Sequence, residues 1–276
     1  WIKLIVDTGG SCAGTSHPPH HAGNLAVYHR QRKLFRKSPE LVEIIYSDSD
    51  IIVINKPPGV PVHSGGSVVG GTLVDEMLAR FPEIAGVGED ATRPGIVHRL
   101  DRDTSGVMVV ARNQKSFTAL KELFHQRLVE KIYLAVVCGV PRQREGVIDM
   151  PIGRLARNPT KRGTVQYRDR IPVRGAREAS TRYRVLKRGV GMALVELKPK
   201  TGRMHQLRVH TAAIGHPVAC DKKYGGKNVC CPVTGREPPR QLLHAQSLSF
   251  ALAPGRMQSF EADPPEDFVL ALNAII

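Results

Sequence analysis

The chain has 276 residues, 41% of them hydrophobic and only 5% aromatic, and a net charge of +15 at pH 7. That length buries a core without cross-links, and five cysteines (Cys12, Cys138, Cys220, Cys230 and Cys231), odd in number and without a C-x-x-C pair, argue against a disulfide framework and a closed zinc site. No apolar run approaches the ~18 residues of a membrane span, and the cationic excess points to a polyanion, nucleic acid before membrane.

Residues 1–40 differ from the rest. They hold "SHPPHHAG", with His17, His20 and His21, and then the basic stretch "YHRQRKLFRK". This reads as an N-terminal extension, its histidines in a solvated loop. Because the chain begins at Trp1, the native start and any targeting segment are expected upstream. From residue 41 the pattern tightens into one domain, 41–276. "LVEIIYSDSDIIVINKPPGVPVH" gives two short strands split by an Asp/Ser turn and closed by a Pro/Gly stop, with Lys56 before Pro57 read as strand-end packing. "TLVDEMLARF" is a helix opened by Thr72 and Asp75. In "RPGIVHRLDRDTSGVMVVAR", "GIVH" is strand-like, 98–105 a tight turn and "GVMVVA" a buried strand. Asn113 caps a helix whose Phe117, Leu120, Leu123, Phe124 and Leu128 share a face. "EKIYLAVVCG" is a strand, "STRYRVLKR" and "MALVELK" a hairpin across Gly189 and Gly191. "TGRMHQLRVHTAAIG" is a helix with Thr201 near its N-cap and Gly215 past its end. "QSLSFAL" is a strand and "PPEDFVLALNAII" a terminal helix. Strands and helices mix without a βαβ period, which argues for α+β with a large mixed or mainly antiparallel sheet. Neither a dinucleotide nor a phosphate-loop fingerprint occurs.

The charge is uneven. Residues 142–188 carry fourteen Lys/Arg against four Asp/Glu, a net of +10. This Gly- and Pro-containing stretch suits loops and exposed strands that follow a phosphate backbone, with Arg154, Arg157, Lys161 and Arg162 as candidate substrate contacts.

Asp101 stands between Arg99 and Arg102. Positive potential favours its ionised form, which can serve as a nucleophile or a base. Turn chemistry accounts for Asp101 equally well on spacing alone. Two metal sets can be drawn on paper: His98, Asp101, Asp103, His205 and His210, or Cys220, Cys230, Cys231 and His216. Neither has zinc-ligand spacing, and no metal is expected. His205 and His210 read as hydrogen-bonding inside the fold.

Over residues 41–276 the chain resembles the RluA-type family of RNA pseudouridine synthases. The ordered blocks "DIIVINKPPGVPVH", "RPGIVHRLDRDTSGVMVVAR", "LVEKIYLAVVCG", "PIGR", "AREAS", "TGRMHQLRVHTAAIGHPVACDKKYG" and "LLHAQSLSF" are similar to the family's. Met204 and Ser64 depart from its common threonine and proline. The resemblance implies a bent mixed sheet flanked by helices and loops around a central catalytic cleft. It implies an isomerase that breaks a uridine's N-glycosidic bond, turns the base and rejoins it through carbon 5, without a cofactor. It places the essential carboxylate on Asp101, as nucleophile or base, and the base-stacking tyrosine on Tyr133. The pairing arginine falls on Arg208, the residue that fills the vacated base stack on Arg99, and an apolar neighbour of the base on Leu207. The expected partner is ribosomal or transfer RNA, with a ribosomal or pre-ribosomal particle possible, in an intracellular compartment such as cytoplasm or mitochondrion, by a monomer. The alternative is an assembly factor that grips RNA with the synthase fold.

Overall fold

The computed structural model of the chain describes residues 42–64, 71–156, 158–164, 173–225 and 240–275. The histidines of the extension, Cys12, Cys230, Cys231 and Arg157 lie outside the described residues.

The first apolar stretch forms a hairpin of β1 (Glu43–Ser47) and β2 (Ile51–Lys56). Asp48 makes its turn: Oδ1 accepts the N–H groups of Asp50 and Ile51, both at 2.8 Å, the local bonding that draws Asp into turns. β3 (Ser105–Ala111) runs antiparallel to β2 and is buried along its whole length. Its sequence, SGVMVVA, has the near-continuous apolar run of a strand covered on both faces. Helix α1 (Leu73–Arg80) opens on reciprocal bonds between Thr72 and Asp75, and α2 (Gln114–His125) on reciprocal bonds between Asn113 and Ser116. Phe117 and Leu120 are buried beneath α2, with Leu123 and Phe124 packed beside them. Leu128 does not join this face. The helix stops at His125, Arg127 takes a left-handed φ of 62°, and Leu128 is 55% exposed.

β4 (Glu130–Cys138), β5 (Glu145–Asp149), β9 (Ser180–Arg188), β10 (Met192–Pro199), β11 (Leu243–Ala253) and β12 (Arg256–Glu261) complete a 9-stranded sheet. Its order is β1-β2-β3-β11-β4-β10-β9-β5, with β12 on β11. Every pairing is antiparallel except β3 with β11, so the α+β class and the mainly antiparallel sheet expected from the sequence are found. The parallel joint is short: His244 faces Ser105 and Ala245 faces Gly106. At Gly106 φ is +118°, and a Cβ would lie 2.2 Å from the Ala245 carbonyl oxygen. Only glycine lets the two backbones approach that closely. Ser105 Oγ meets His244 Nδ1 at 3.0 Å across the same joint. Ser105 therefore belongs to a strand joint and not to the turn expected for it. "GIVH" is likewise no strand; it makes a single bridge, Ile96 to Val110.

A second sheet, of order β7-β6-β8, is built from β6 (Ile152–Leu155), β7 (Asn158–Thr164) and β8 (Val173–Arg177). α3 (Gln206–Ala213) buries Leu207 among Ala135, Tyr183, Val185, Val195 and Leu197. α4 (Glu266–Asn273) sets Phe268 and Ala271 against Val136 and Leu242. Ala135 and Val136 are adjacent on β4, so the two helices cover opposite faces of the sheet. Thr201 does not cap α3. The N-cap is His205, at a left-handed φ of 58°. The Thr201 hydroxyl donates instead to Gln206 Oε1 at 2.7 Å, and the Gln206 amide donates to Ser180 O and Thr181 Oγ1. That buried amide ties the 201–205 loop to β9 and decides where α3 begins. Gly215, at φ 84°, ends the helix as expected. Among the described residues no helix is long and apolar enough to cross a membrane.

Candidate active site

Asp101 sits on the loop before β3, and that loop is fastened from several sides. Lys56, at the end of β2, is fully buried, and its Nζ donates to the carbonyls of Pro57, Val60 and Arg102 at 2.8, 2.9 and 2.9 Å. Burial pushes its pKa down to about 7. The Gly59 N–H also donates to Arg102 O. Arg240 grips Asp267 through two bonds and donates from Nη1 to Asp103 O at 3.1 Å. Gln241 donates to Thr104 Oγ1, and the Thr104 N–H closes back onto Asp101 O at 3.1 Å. Residues 102–104 thus hold the loop, and Lys56 does more than pack a strand end. His98 also stays structural. Its Nε2 accepts the Val109 N–H at 3.0 Å, its ring stacks on Phe124, and burial pushes its pKa down to about 3.

The Asp101 carboxylate faces Arg208, more than a hundred residues away in the chain. Arg208 Nη1 donates to Asp101 Oδ2 at 2.8 Å. The other side of the guanidinium is taken by Asp221: Nε donates to Oδ2 at 2.6 Å and Nη2 to Oδ1 at 2.8 Å. Asp221 Oδ1 also accepts the N–H groups of Lys223 and Tyr224. The side chain of Arg208 is 8% exposed, that of Asp221 0% and that of Asp101 22%. Burial opposes the Arg208 charge, but the Asp221 and Asp101 carboxylates more than offset it and raise its pKa. The result is a cation locked on the inner acid and offering one N–H to the outer one. Bidentate arginine–carboxylate pairing of this kind fixes orientation as well as charge. Among the described residues Asp101 Oδ1 accepts no hydrogen bond; His205 Nε2 is 3.9 Å from it.

Asp101 opens onto a cleft of about 700 Å³ whose walls include Arg99, Tyr133, His205, Leu207 and Arg208. Tyr133 comes from β4, where it faces Ala245 of β11 and Leu197 of β10. Burial, and secondarily the Asp101 charge, raise its phenol pKa, so it stands as a neutral hydroxyl on an apolar ring. Arg99 is exposed, with Nη1 2.9 Å from His63 Nε2. The cleft therefore brings together Asp101, Tyr133, Arg208, Arg99 and Leu207 from separate segments of the chain.

Arg154, Lys161 and Arg162 lie elsewhere, on the small sheet. Arg154 of β6 faces Arg162 of β7 on one side and Arg174 of β8 on the other, which makes a cross-strand row of three arginines. Like charges directly opposed in a sheet are destabilising, so such a row suits an anion lying across it. Arg162 links the row to the cleft: its N–H donates to Tyr224 Oη at 3.0 Å and its Nη2 to Met204 Sδ at 3.1 Å. Sequence reasoning passes over Asp221, Tyr224 and Arg240. "CDKKYGG" reads as a loop, and nothing local tells that its acid is to be buried against an arginine of the preceding helix. Among the described residues no group of three or more His, Cys, Asp or Glu is placed to hold a metal. His210 bonds Thr181 Oγ1 and Met150 O inside the fold.

A cleft lined by a paired carboxylate, beside a row of opposed arginines, suits an enzyme that works on a polyanion. Residues 50–213 match the RNA pseudouridylate synthase family. Ribosomal large subunit pseudouridine synthase D of Pseudomonas aeruginosa is 40% identical over 242 residues, which make up 85% of this chain and 72% of that protein. The uncharacterized RNA pseudouridine synthase YlyB of Bacillus subtilis is 38% identical over 271 residues, 97% of this chain and 84% of that protein. The uncharacterized RNA pseudouridine synthase slr1629 of Synechocystis is also 38% identical over 211 residues, 75% of this chain, and the chain spans 61% of that protein's length. The solved structure of human RNA pseudouridylate synthase domain containing 4 has a TM-score of 0.66 at 30% identity and covers 91% of this chain and 97% of its own. The chain belongs to the RNA pseudouridylate synthase family.

Proposed function

We propose that the chain isomerises uridines of structured RNA to pseudouridine, with ribosomal RNA as the first candidate because several relatives carry ribosomal large subunit names. Residues 41–276 form the catalytic domain in this reading, preceded by an extension, and act as a monomer on ribosomal RNA or a pre-ribosomal particle. The observation that carries it is the division of the Asp101 carboxylate, with Oδ2 held by Arg208 and Oδ1 facing the cleft without a hydrogen bond among the described residues. A carboxylate oxygen so presented can attack C1′ of the flipped nucleotide or remove the proton that starts glycal formation. Either route cleaves the N-glycosidic bond, and the freed base turns and rejoins through C5. Tyr133 offers the base an aromatic wall, Leu207 an apolar one, and Arg99 a planar cation for the vacated stack. Flipping costs a few kcal/mol of stacking, which such a cation partly restores. The arginines of the small sheet hold the RNA backbone.

The test is pseudouridine mapping of ribosomal and transfer RNA from cells carrying the wild-type chain or Asp101→Asn. One or a few sites should lose pseudouridine in the variant, and the purified variant should bind RNA within about twofold of wild type while its rate falls on the order of 10³-fold or more. Unchanged modification by Asp101→Asn would overturn the assignment.

A further inference from the structure

Two side chains beside the cleft have no part in the chemistry above, yet hydrogen bonds join them into a chain that leads toward Asp101. Tyr224 Oη receives the backbone N–H of Arg162, from β7, at 3.0 Å. A phenol oxygen that accepts there still has its own hydrogen to place. Its other partner is His205 Nδ1, at 2.7 Å. The Tyr224 phenol is protonated, since burial above all pushes its pKa up to about 12. With the phenol donating to Nδ1, a neutral imidazole carries its proton on Nε2. His205 Nε2 is the ring atom 3.9 Å from Asp101 Oδ1, the oxygen that Arg208 leaves alone. That gap is longer than a hydrogen bond, as is common in catalytic sites before substrate closes them.

Resting on the pseudouridine synthase reading, we propose that Tyr224 and His205 are positioning residues: a chain of donors from the β7 backbone that fixes the Nε2–H tautomer of His205 and aims that N–H at Oδ1 of Asp101. The carboxylate then has a fixed donor on Oδ2 from Arg208, and beside Oδ1 an N–H that orients this oxygen while leaving it open to the cleft until the nucleotide seats. The backbone conformation of His205 fits this use. It is held at φ 58°, in the left-handed region, which histidine enters more readily than most non-glycine residues. His205 acts as the neutral ring. Burial first pushes its pKa down to about 4, and the Arg208, Lys223 and Arg162 charges around it work in the same direction against the opposing pull of Asp101. The Tyr224 ring also has the Arg208 guanidinium carbon 5.1 Å from its centre, so the same side chain braces both partners of the carboxylate.

Tyr224→Phe keeps the ring and its place against Arg208 and removes only the hydroxyl. His205→Asn removes the imidazole with a residue that tolerates the left-handed backbone. Ring ¹⁵N resonances of His205 in the wild-type chain should report the Nε2–H tautomer at neutral pH, and Tyr224→Phe should shift them toward a mixture. On an RNA the wild-type chain modifies, each variant should slow single-turnover conversion roughly tenfold while RNA affinity stays within about twofold, and the double variant should be no slower than His205→Asn alone, as expected for residues acting as one unit. An Nδ1–H tautomer in the wild type, a spectrum unmoved by Tyr224→Phe, or losses that add fully in the double variant would overturn the proposal. The ¹⁵N measurement needs no product. A chain that modifies no RNA would sink the functional reading, and the tautomer would still decide this one.

Discussion

Arg208 lies in the candidate active site and Arg154 on the surface proposed to hold RNA, and the fold treats them in opposite ways. Arg208 is buried, with all three nitrogens bonded to two carboxylates. Arg154 is exposed on β6, facing Arg162 and Arg174 across the sheet, and among the described residues neither Arg154 nor Arg174 has an ion pair. A buried cation must have its partners built in, because the desolvation it suffers is recovered only through well-placed acids. A solvated cation keeps its hydration until a polyanion displaces it and releases that polyanion's counterions. In the proposed reading, one region is thus preset before substrate arrives, and the other is completed by it. Geometry belongs to the cleft, attraction to the small sheet.

The sharpest way to break this division is to take away the inner acid. Asp221→Asn keeps the shape and one acceptor but leaves Arg208 with a single carboxylate. Removing one partner of a buried pair costs about 3–5 kcal/mol, which thermal unfolding will show as a lower Tm. Arg208 is then free to bind Asp101 with both ends of its fork, which would turn Oδ1 away from the cleft and from His205. Conversion should fall at 25 °C, where the chain is still folded, with RNA affinity little changed. If Asp221→Asn instead weakens RNA binding and leaves the rate of bound RNA intact, the inner acid does not serve the carboxylate. The complementary change is Arg154→Gln with Arg174→Gln and Arg177→Gln. These side chains are exposed, so Tm should hardly move. Affinity should drop for most RNAs, and the slope of log K against log salt should shrink by about 0.7–0.9 for each RNA phosphate that the variant no longer neutralises. A loss of rate at saturating RNA would show that the small sheet also shapes the site.

The same division explains what could be read from the sequence. The Asp48 turn, the Thr72 and Asn113 caps and the end of α3 at Gly215 depend on bonds within a few residues, and the sequence announces them. The small sheet announces itself by composition, since its arginines answer to solvent and need no particular neighbour. The cleft does not. Asp101 is ambiguous by spacing, and its place beside Tyr133 and Arg208 comes only from resemblance. Asp221, Tyr224 and Arg240 stay hidden because each acts through a neighbour that is met only once distant segments come together. Thr201 misleads for the same reason: it is a good N-cap by type, but the buried Gln206 claims its hydroxyl and moves the start of α3 to His205. Gly106 reads as the first residue of a buried strand, and its actual constraint, the approach of β11, is invisible until the sheet is assembled.

Acid gives the mildest test of the comparison, because it reaches the wall of the cleft and spares the small sheet. His98 is neutral in the folded chain: Nε2 accepts from Val109, and burial first, with Lys131 adding to it, pushes its pKa down to about 3 from an ordinary 6.5. The unfolded chain binds a proton there at a higher pH than the folded one does. Between pH 6.5 and about 3 the unfolded state therefore holds more protons, so stability rises with pH, and the contribution of His98 is full above 6.5 and lost as pH falls. The ceiling is ~1.4 kcal/mol per pH unit. His98→Gln keeps an acceptor for the Val109 N–H and does not titrate in this range. The stability difference between wild type and His98→Gln, followed by urea denaturation from about pH 7 to about pH 4.5, should move against the wild type as pH falls. A guanidinium does not titrate in this range, so the triple arginine variant compared with wild type should show a nearly flat difference over it. A flat His98 difference would mean that the ring takes up its proton without disturbing its bond to Val109, and that the wall of the cleft is less fixed than its hydrogen bonds imply.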